Sequence, residues 1–167
     1  MAGFLTGQRV TADALNVLFN KPIGRLTVPS GSTISLPDNT HVPVNFGTGS
    51  TVYDTNGFHS ESTNNTQIKP NIAGYYRFSG FGFFGTSTSP VSAEVSFRLN
   101  GTTYQAGDTR LPGFTIAWSG FAQCDLLMNG TTDYVELMML QDSSGAIITN
   151  ASSQFSSSVE WELIRAQ

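Results

Sequence analysis

From Ile23 onward, apolar and polar residues alternate in short runs, and turn-forming residues interrupt them every few positions. The longest run is Gly74-Tyr75-Tyr76-Arg77-Phe78-Ser79-Gly80-Phe81-Gly82-Phe83-Phe84, rich in aromatic residues that favour strands. Alternate side chains of an extended chain fall on opposite faces. One face then carries Tyr75, Arg77, Ser79, Phe81 and Phe83, and the other Tyr76, Phe78, Gly80, Gly82 and Phe84. Both faces are substantially apolar, which fits a strand with one face on the core and one toward a neighbouring subunit, or equally an ordinary central strand of a monomeric sandwich. Its glycines allow another backbone or a large ring to come close.

Before this run, short strands are predicted at residues 23–28, 32–36, 42–46 and 51–54, with Pro43 marking an edge. After it, Val91, Ala93, Val95, Phe97 and Leu99 are expected to face inward, and Ser92, Glu94, Ser96 and Arg98 outward. Asn100-Gly101 then signals a tight hairpin, and Asn129-Gly130 a second. Between them, Phe114, Ile116, Trp118, Ala122, Cys124 and Leu126 share one parity. Val135, Leu137 and Met139 share the inner side of the next strand, and Val159, Trp161 and Leu163 that of the last. About ten short strands with no helical pattern after residue 20 predict an all-β sandwich or barrel.

Residues 1–20 follow another pattern. Thr11 suits an N-cap, and Ala14, Leu15, Leu18 and Phe19 form one apolar stripe at helical spacing. A helix of two turns is not stable alone. The stripe must therefore dock on the domain, on sister copies or on another protein. The chain divides into an N-terminal segment, residues 1–22, and a β-domain, residues 23–167.

Composition narrows the partners. Charged residues make up 12% of the chain and the net charge is −4, while Ser, Thr, Asn and Gly are abundant. The eight basic residues are scattered singly, which argues against nucleic acid. The single cysteine, Cys124, excludes an intrachain disulfide and a cysteine-based zinc site, and is expected to pack as a small hydrophobe. No stretch has the length of a membrane span, and no secretory signal opens the chain, so synthesis in a cytoplasm is expected.

No catalytic constellation stands out. His41 and His59 are the only imidazoles, and no nucleophile-elbow spacing accompanies them. Glu160 and Glu162 share the outer face of the last strand and read as a solvated face rather than a glycosidase pair. Calcium is the one metal worth weighing, with Asp54, Asp108, Asp125, Asp133 and Asp142 as hard ligands, but no continuous loop motif unites them. Tyr53, Phe58, Tyr104 and Phe121 could offer rings to a saccharide, although packing explains them equally well. The expectation is a non-enzyme without a cofactor.

The order of motifs resembles the C1q/TNF-like jelly roll. Val52-Tyr53-Asp54-Thr55-Asn56-Gly57-Phe58, then Ile68 and Pro70, then Gly74-Tyr75-Tyr76-Arg77-Phe78 are similar to the first half of that domain. Val95 to Gly101 resembles its central strand and hairpin, and Asp133-Tyr134-Val135-Glu136-Leu137 its "aspartate, x, valine, x, leucine" strand. Glu160-Trp161-Glu162 departs from the small residues often found near the end. The resemblance covers roughly residues 40–165 and implies a ten-stranded jelly roll assembled as a homotrimer. Tyr75, Phe81, Phe83 and Trp161 are the candidates for its interface or core. Gly3 to Asn16 is also similar to the opening of many bacteriophage tail proteins. That likeness implies a virion anchor, with Val10, Ala14, Leu15, Leu18 and Phe19 as contact residues. Together the two imply a virion protein with other virion proteins as partners at the N-terminus and a host-surface glycan or protein beyond. A tail-tip or tail-fibre role is expected first, and a capsid decoration, head fibre or non-binding tail knob second.

Overall fold

The computed structural model describes residues 21–85, 92–108, 118–152 and 154–167. The expected anchor helix, with Val10, Ala14, Leu15, Leu18 and Phe19, lies outside the described residues, as do Val91, Phe114 and Ile116. In chain order the strands are β1 (Ile23–Thr27), β2 (Thr33–Leu36), β3 (Val42–Pro43), β4 (Thr51–Asp54), β5 (Gln67–Ile68), β6 (Gly74–Phe84), β7 (Ala93–Leu99), β8 (Thr103–Asp108), β9 (Trp118–Met128), β10 (Val135–Gln141), β11 (Ile147–Asn150) and β12 (Ser158–Ala166). No helix occurs among the described residues.

One sheet runs β4-β1-β12-β6-β9 and another β3-β10-β7-β8, with β5 also pairing β10. A separate ribbon joins β11 to β2. Apart from the β7–β8 hairpin, successive strands change sheet: β1 pairs with the last strand, β12, and β6 sits between β12 and β9. This is the jelly-roll arrangement, in which early and late strands lie side by side.

The two sheets meet through alternating side chains. Along β6, residues 74, 76, 78, 80, 82 and 84 are buried, while Tyr75, Arg77, Ser79, Phe81 and Phe83 face away from the core. Tyr76, Phe78 and Phe84 have no exposed surface, and they join Val95, Phe97, Leu137 and Met139 from the opposite sheet in one core. Gly80 and Gly82 are where the opposite sheet presses closest. A β-carbon at Gly80 would stand 2.3 Å from Leu137 Cδ1 and 2.9 Å from Phe97 Cζ, and one at Gly82 2.5 Å from Val95 Cγ2. The close approach expected at these glycines thus comes from side chains of the same chain.

Turn chemistry fixes the connections. Asn100 (φ 52°) and Gly101 (φ 73°) form the tight turn between β7 and β8, with the left-handed backbone at both centres that such hairpins need. Asn129-Gly130 differs from the two-residue turn expected. Here a longer loop wraps around Asn129 Oδ1, which accepts from the backbone N–H of Thr131, Thr132 and Asp133 at 2.9, 3.0 and 3.1 Å. An asparagine side chain can bond its own following backbone in this way, so the dipeptide nucleates a wider turn.

β10 corrects the simple alternation. All seven of its residues are buried, not only Val135, Leu137 and Met139. Ser96 on neighbouring β7 is likewise 2% exposed instead of outward in water. The face of this sheet turned from the core is covered here too. Glu136 on that buried strand is held by Arg98, whose Nε and Nη2 donate at 3.0 and 2.8 Å, and by Thr66 Oγ1 at 2.7 Å. Removing one partner of a buried pair strands the other charge, at about 3–5 kcal/mol. Glu136→Ala is therefore expected to lower the unfolding free energy by about 3 kcal/mol in urea titration. An effect under about 1 kcal/mol would mean that water reaches Arg98 and replaces the carboxylate.

Candidate functional site

The outward face of the β4-β1-β12-β6-β9 sheet is an organised surface built by the strands. β6 and β9 run in register, so Tyr75 pairs with Leu127, Arg77 with Asp125, Ser79 with Gln123 and Phe81 with Phe121. On the other side β12 places Glu162 beside Arg77 and Glu160 beside Ser79, and β1 sets Arg25 against Glu160. The face reads as three tiers. At one end Tyr75, Leu127 and Ile164 are exposed, with Arg165 over the Tyr75 ring at 4.9 Å. At the other end lie Phe81, Phe121 and Phe83, with Phe83 stacked on the exposed Phe155 ring at 5.4 Å.

The middle tier is charged and internally paired. Arg77 donates through Nε and Nη2 to Asp125 at 2.9 and 3.0 Å, a two-pronged contact. That hydrogen bond, with the charge of Arg77, holds the Asp125 carboxyl below the usual carboxylate range and raises Arg77 in turn. Glu162 takes Lys21 at 2.8 Å and lies 3.9 Å from Arg77, and Arg25 stands 3.4 Å from Glu160. Glu160 and Glu162 are therefore each engaged by a cation on the sheet face.

Of the four candidates for interface or core, the structure puts Tyr75, Phe81 and Phe83 on this outward face. Trp161 parts from them. It points inward, is 3% exposed, and stacks against Phe58 at 6.4 Å. Its neighbours Val159 and Leu163 share its side of β12 and are equally buried, so strand parity decides its place. Phe58, considered as a saccharide platform, is also core, at 3% exposure, whereas Tyr53 and Phe121 are exposed.

The remaining chemical candidates hold the fold. His59 has its two ring nitrogens on the carbonyl oxygens of Gln67 (3.0 Å) and Phe46 (2.7 Å), and His41 lies 3.5 Å from Glu94. Asp54 accepts from the backbone N–H of Asn56 and His59, and Asp133 from Asn100 and Asn129. Cys124 faces the core side of β9, where burial and then the nearby Asp125 charge push its thiol up to about 12. It stays a protonated, unreactive thiol near neutrality.

Glu61 is a structural residue that sequence reasoning missed. Its carboxylate accepts from Gly49 N–H at 2.9 Å and Thr51 N–H at 2.8 Å, closing the loop before β4. These backbone bonds lower its pKa from 4.5 to about 2. A carboxyl lowered in the folded state contributes stability above its unfolded pKa and loses it as pH falls toward the folded one. Replacing Glu61 by Gln is expected to lower the urea midpoint at pH 7. The gap to the parent chain should narrow as pH falls from about 5 to about 2. A gap independent of pH would assign the effect to packing.

Comparison with known proteins agrees with this architecture. The sequence matches no protein-family model and no curated protein. Solved structures do match in fold. The globular domain of zebrafish complement 1qA aligns with a TM-score of 0.56 at 10% identity, covering 88% of this chain and 100% of that one. Murine APRIL aligns at 0.56 and 11%, covering 86% and 99%. The PRD1 vertex protein P5 aligns at 0.55 and 12%, covering 86% and 97%. The described strands thus form a jelly roll similar to the C1q and TNF domains, as the order of motifs implied.

Proposed function

We propose that this chain is a bacteriophage virion protein whose jelly roll forms a homotrimeric knob and mediates attachment to the host surface, as part of a tail tip or tail fibre. The observation that carries the assembly is the outward face of the five-stranded sheet, apolar at both ends and charge-paired in the middle. Exposed apolar patches on a soluble domain mark interaction sites, and here Tyr75, Phe81, Phe83, Phe121 and Leu127 stand on one flat surface. The charges of its middle tier are already matched within the chain, so closing that tier against sister copies leaves none of them unpaired. Three copies on one axis would also raise the effective concentration of weak binding sites.

The virion part of the reading rests on the N-terminal segment and its likeness to tail-protein openings. A second reading, a capsid decoration or head-fibre protein, is favoured by the fold shared with the vertex protein of phage PRD1. In either case the role is structural and non-catalytic. Antibodies to the purified protein, used to label particles and to block adsorption, test both. Label at the tail tip with blocked adsorption supports attachment. Label at capsid vertices with normal adsorption supports decoration, and no label on particles would sink the virion assignment.

A further inference from the structure

A pocket of about 330 Å³ opens at one end of the sandwich, between the segment after β4 and the loop joining β9 to β10. Phe58 and Pro70 close its base, and both are buried. Asn64, Gln67 and Lys69 line it from the chain before β6. The side-chain amides of Asn64 and Gln67 make no hydrogen bond to the described residues, although their backbones are tied together by Gln67 N–H donating to Asn64 C=O at 2.8 Å. The framework is held and the functional groups are left over.

Lys69 differs from the other described cations. Lys21, Arg25, Arg77 and Arg98 each face a carboxylate, and Arg165 covers a tyrosine ring. Lys69 alone among the described residues has neither, and no Asp or Glu lines the pocket. In a chain of net charge −4, a pocket with one uncompensated cation selects a single negative charge. Two free amides beside it supply donors and acceptors in pairs, the pattern that vicinal hydroxyls satisfy. Phe58 is too buried to act as a stacking platform, so recognition here works through polar edges.

We infer that this pocket binds an acidic sugar residue, with Lys69 on its carboxylate and the Asn64 and Gln67 amides on its hydroxyls. The inference rests on the attachment reading above and names where the surface ligand is held. The loop of residues 56–65 that forms one wall is legible in the sequence as a binding loop, but the pocket is not, because its walls come from loops about sixty residues apart that only the jelly-roll order brings together.

Saturation-transfer NMR on the full chain tests it with D-glucuronate, D-glucose and acetate as probes. Transfer is expected to glucuronate above both others. Lys69→Glu should weaken the glucuronate signal at least about fivefold, the upper range for an exposed charge pair, and leave glucose unchanged. Gln67→Ala should weaken glucuronate and glucose alike. Lys69 is exposed, so its replacement spares the fold. Equal transfer to acetate would show that charge alone is read. Equal transfer to glucose, or indifference to Lys69→Glu, would show that Lys69 takes no part. Each of these, like no transfer at all, overturns the inference. The solution mass is measured on the same sample: a trimer that ignores glucuronate overturns the pocket alone, and a monomer that binds it overturns the assembly alone.

Discussion

The double substitution Phe81→Asp, Phe121→Asp is expected to leave the chain folded and to reduce its mass in solution from three copies to one. The two rings are direct cross-strand partners on the outward face, and Phe121 is 50% exposed in the single chain. Aspartates there would face water in the monomer, where a like-charged pair directly across two strands costs about 1 kcal/mol. In the proposed trimer the same carboxylates would be forced into an apolar contact without partners. The desolvation penalty is several kcal/mol per ion, repeated in every subunit, which exceeds what a small subunit contact can absorb. Light scattering gives the outcome directly, because the chain mass is 17.9 kDa and circular dichroism reports the strands separately. A folded variant that keeps the parent's trimeric mass would remove this face from the interface. A parent that is itself monomeric would remove the trimeric knob. Repeating the parent measurement without residues 1–20 separates assembly by the jelly roll from assembly by the N-terminal segment.

That experiment turns on a distinction only partly readable in the sequence. The period-two pattern of residues 74–84 divided the side chains correctly into two sets, since strand geometry leaves no other choice. Both sets contain large rings, however, so hydrophobicity could not say which faces the core. The glycines carried that information: Gly80 and Gly82 lie on the side where Leu137, Phe97 and Val95 need the space of a missing side chain. Trp161 is a candidate for interface or core, and the structure puts it in the core. Its parity with Val159 and Leu163 already pointed inward, and packing follows parity. The strand β10 and its inner set are legible, but the burial of its other face is not. Alternation identifies a half-buried strand, and a strand covered on both faces has no polar side to reveal its period. Glu136 could not be recognised as buried because its partners, Arg98 and Thr66, arrive from separate segments. The same holds for Glu61, whose acceptor role depends on loop conformation rather than on residue type.

Gly24→Ala is expected to be the most destabilising single-methyl change in the sheet. Gly24 faces Trp161 across the β1–β12 pair, and a β-carbon there would fall 1.9 Å from Cζ2 and 2.3 Å from Cε2 of the indole. Those distances are far inside contact, so either the ring or the strand must move. The ring is closed in: it is 3% exposed and stacked on Phe58, itself packed edge-on against Tyr76 at 5.8 Å. Moving β1 instead would break its ladder with β12 and carry β4 with it, because among the described residues β4 pairs only with β1. Overpacking a filled core costs about 1–3 kcal/mol, and a clash against a ring with no room to turn belongs at or above the top of that range. Urea titration of Gly24→Ala should show the loss, and a second change should relieve it. Trp161→Phe removes the half of the indole that meets the new methyl, and the indole N–H it deletes has no hydrogen-bond partner among the described residues. In the Trp161→Phe background, Gly24→Ala should therefore cost less than half of what it costs alone, the non-additivity expected of groups in contact. Strictly additive losses would mean that the strand yields first. The edge of the sheet, rather than the buried indole, would then set the tolerance of β1 to side chains at this position.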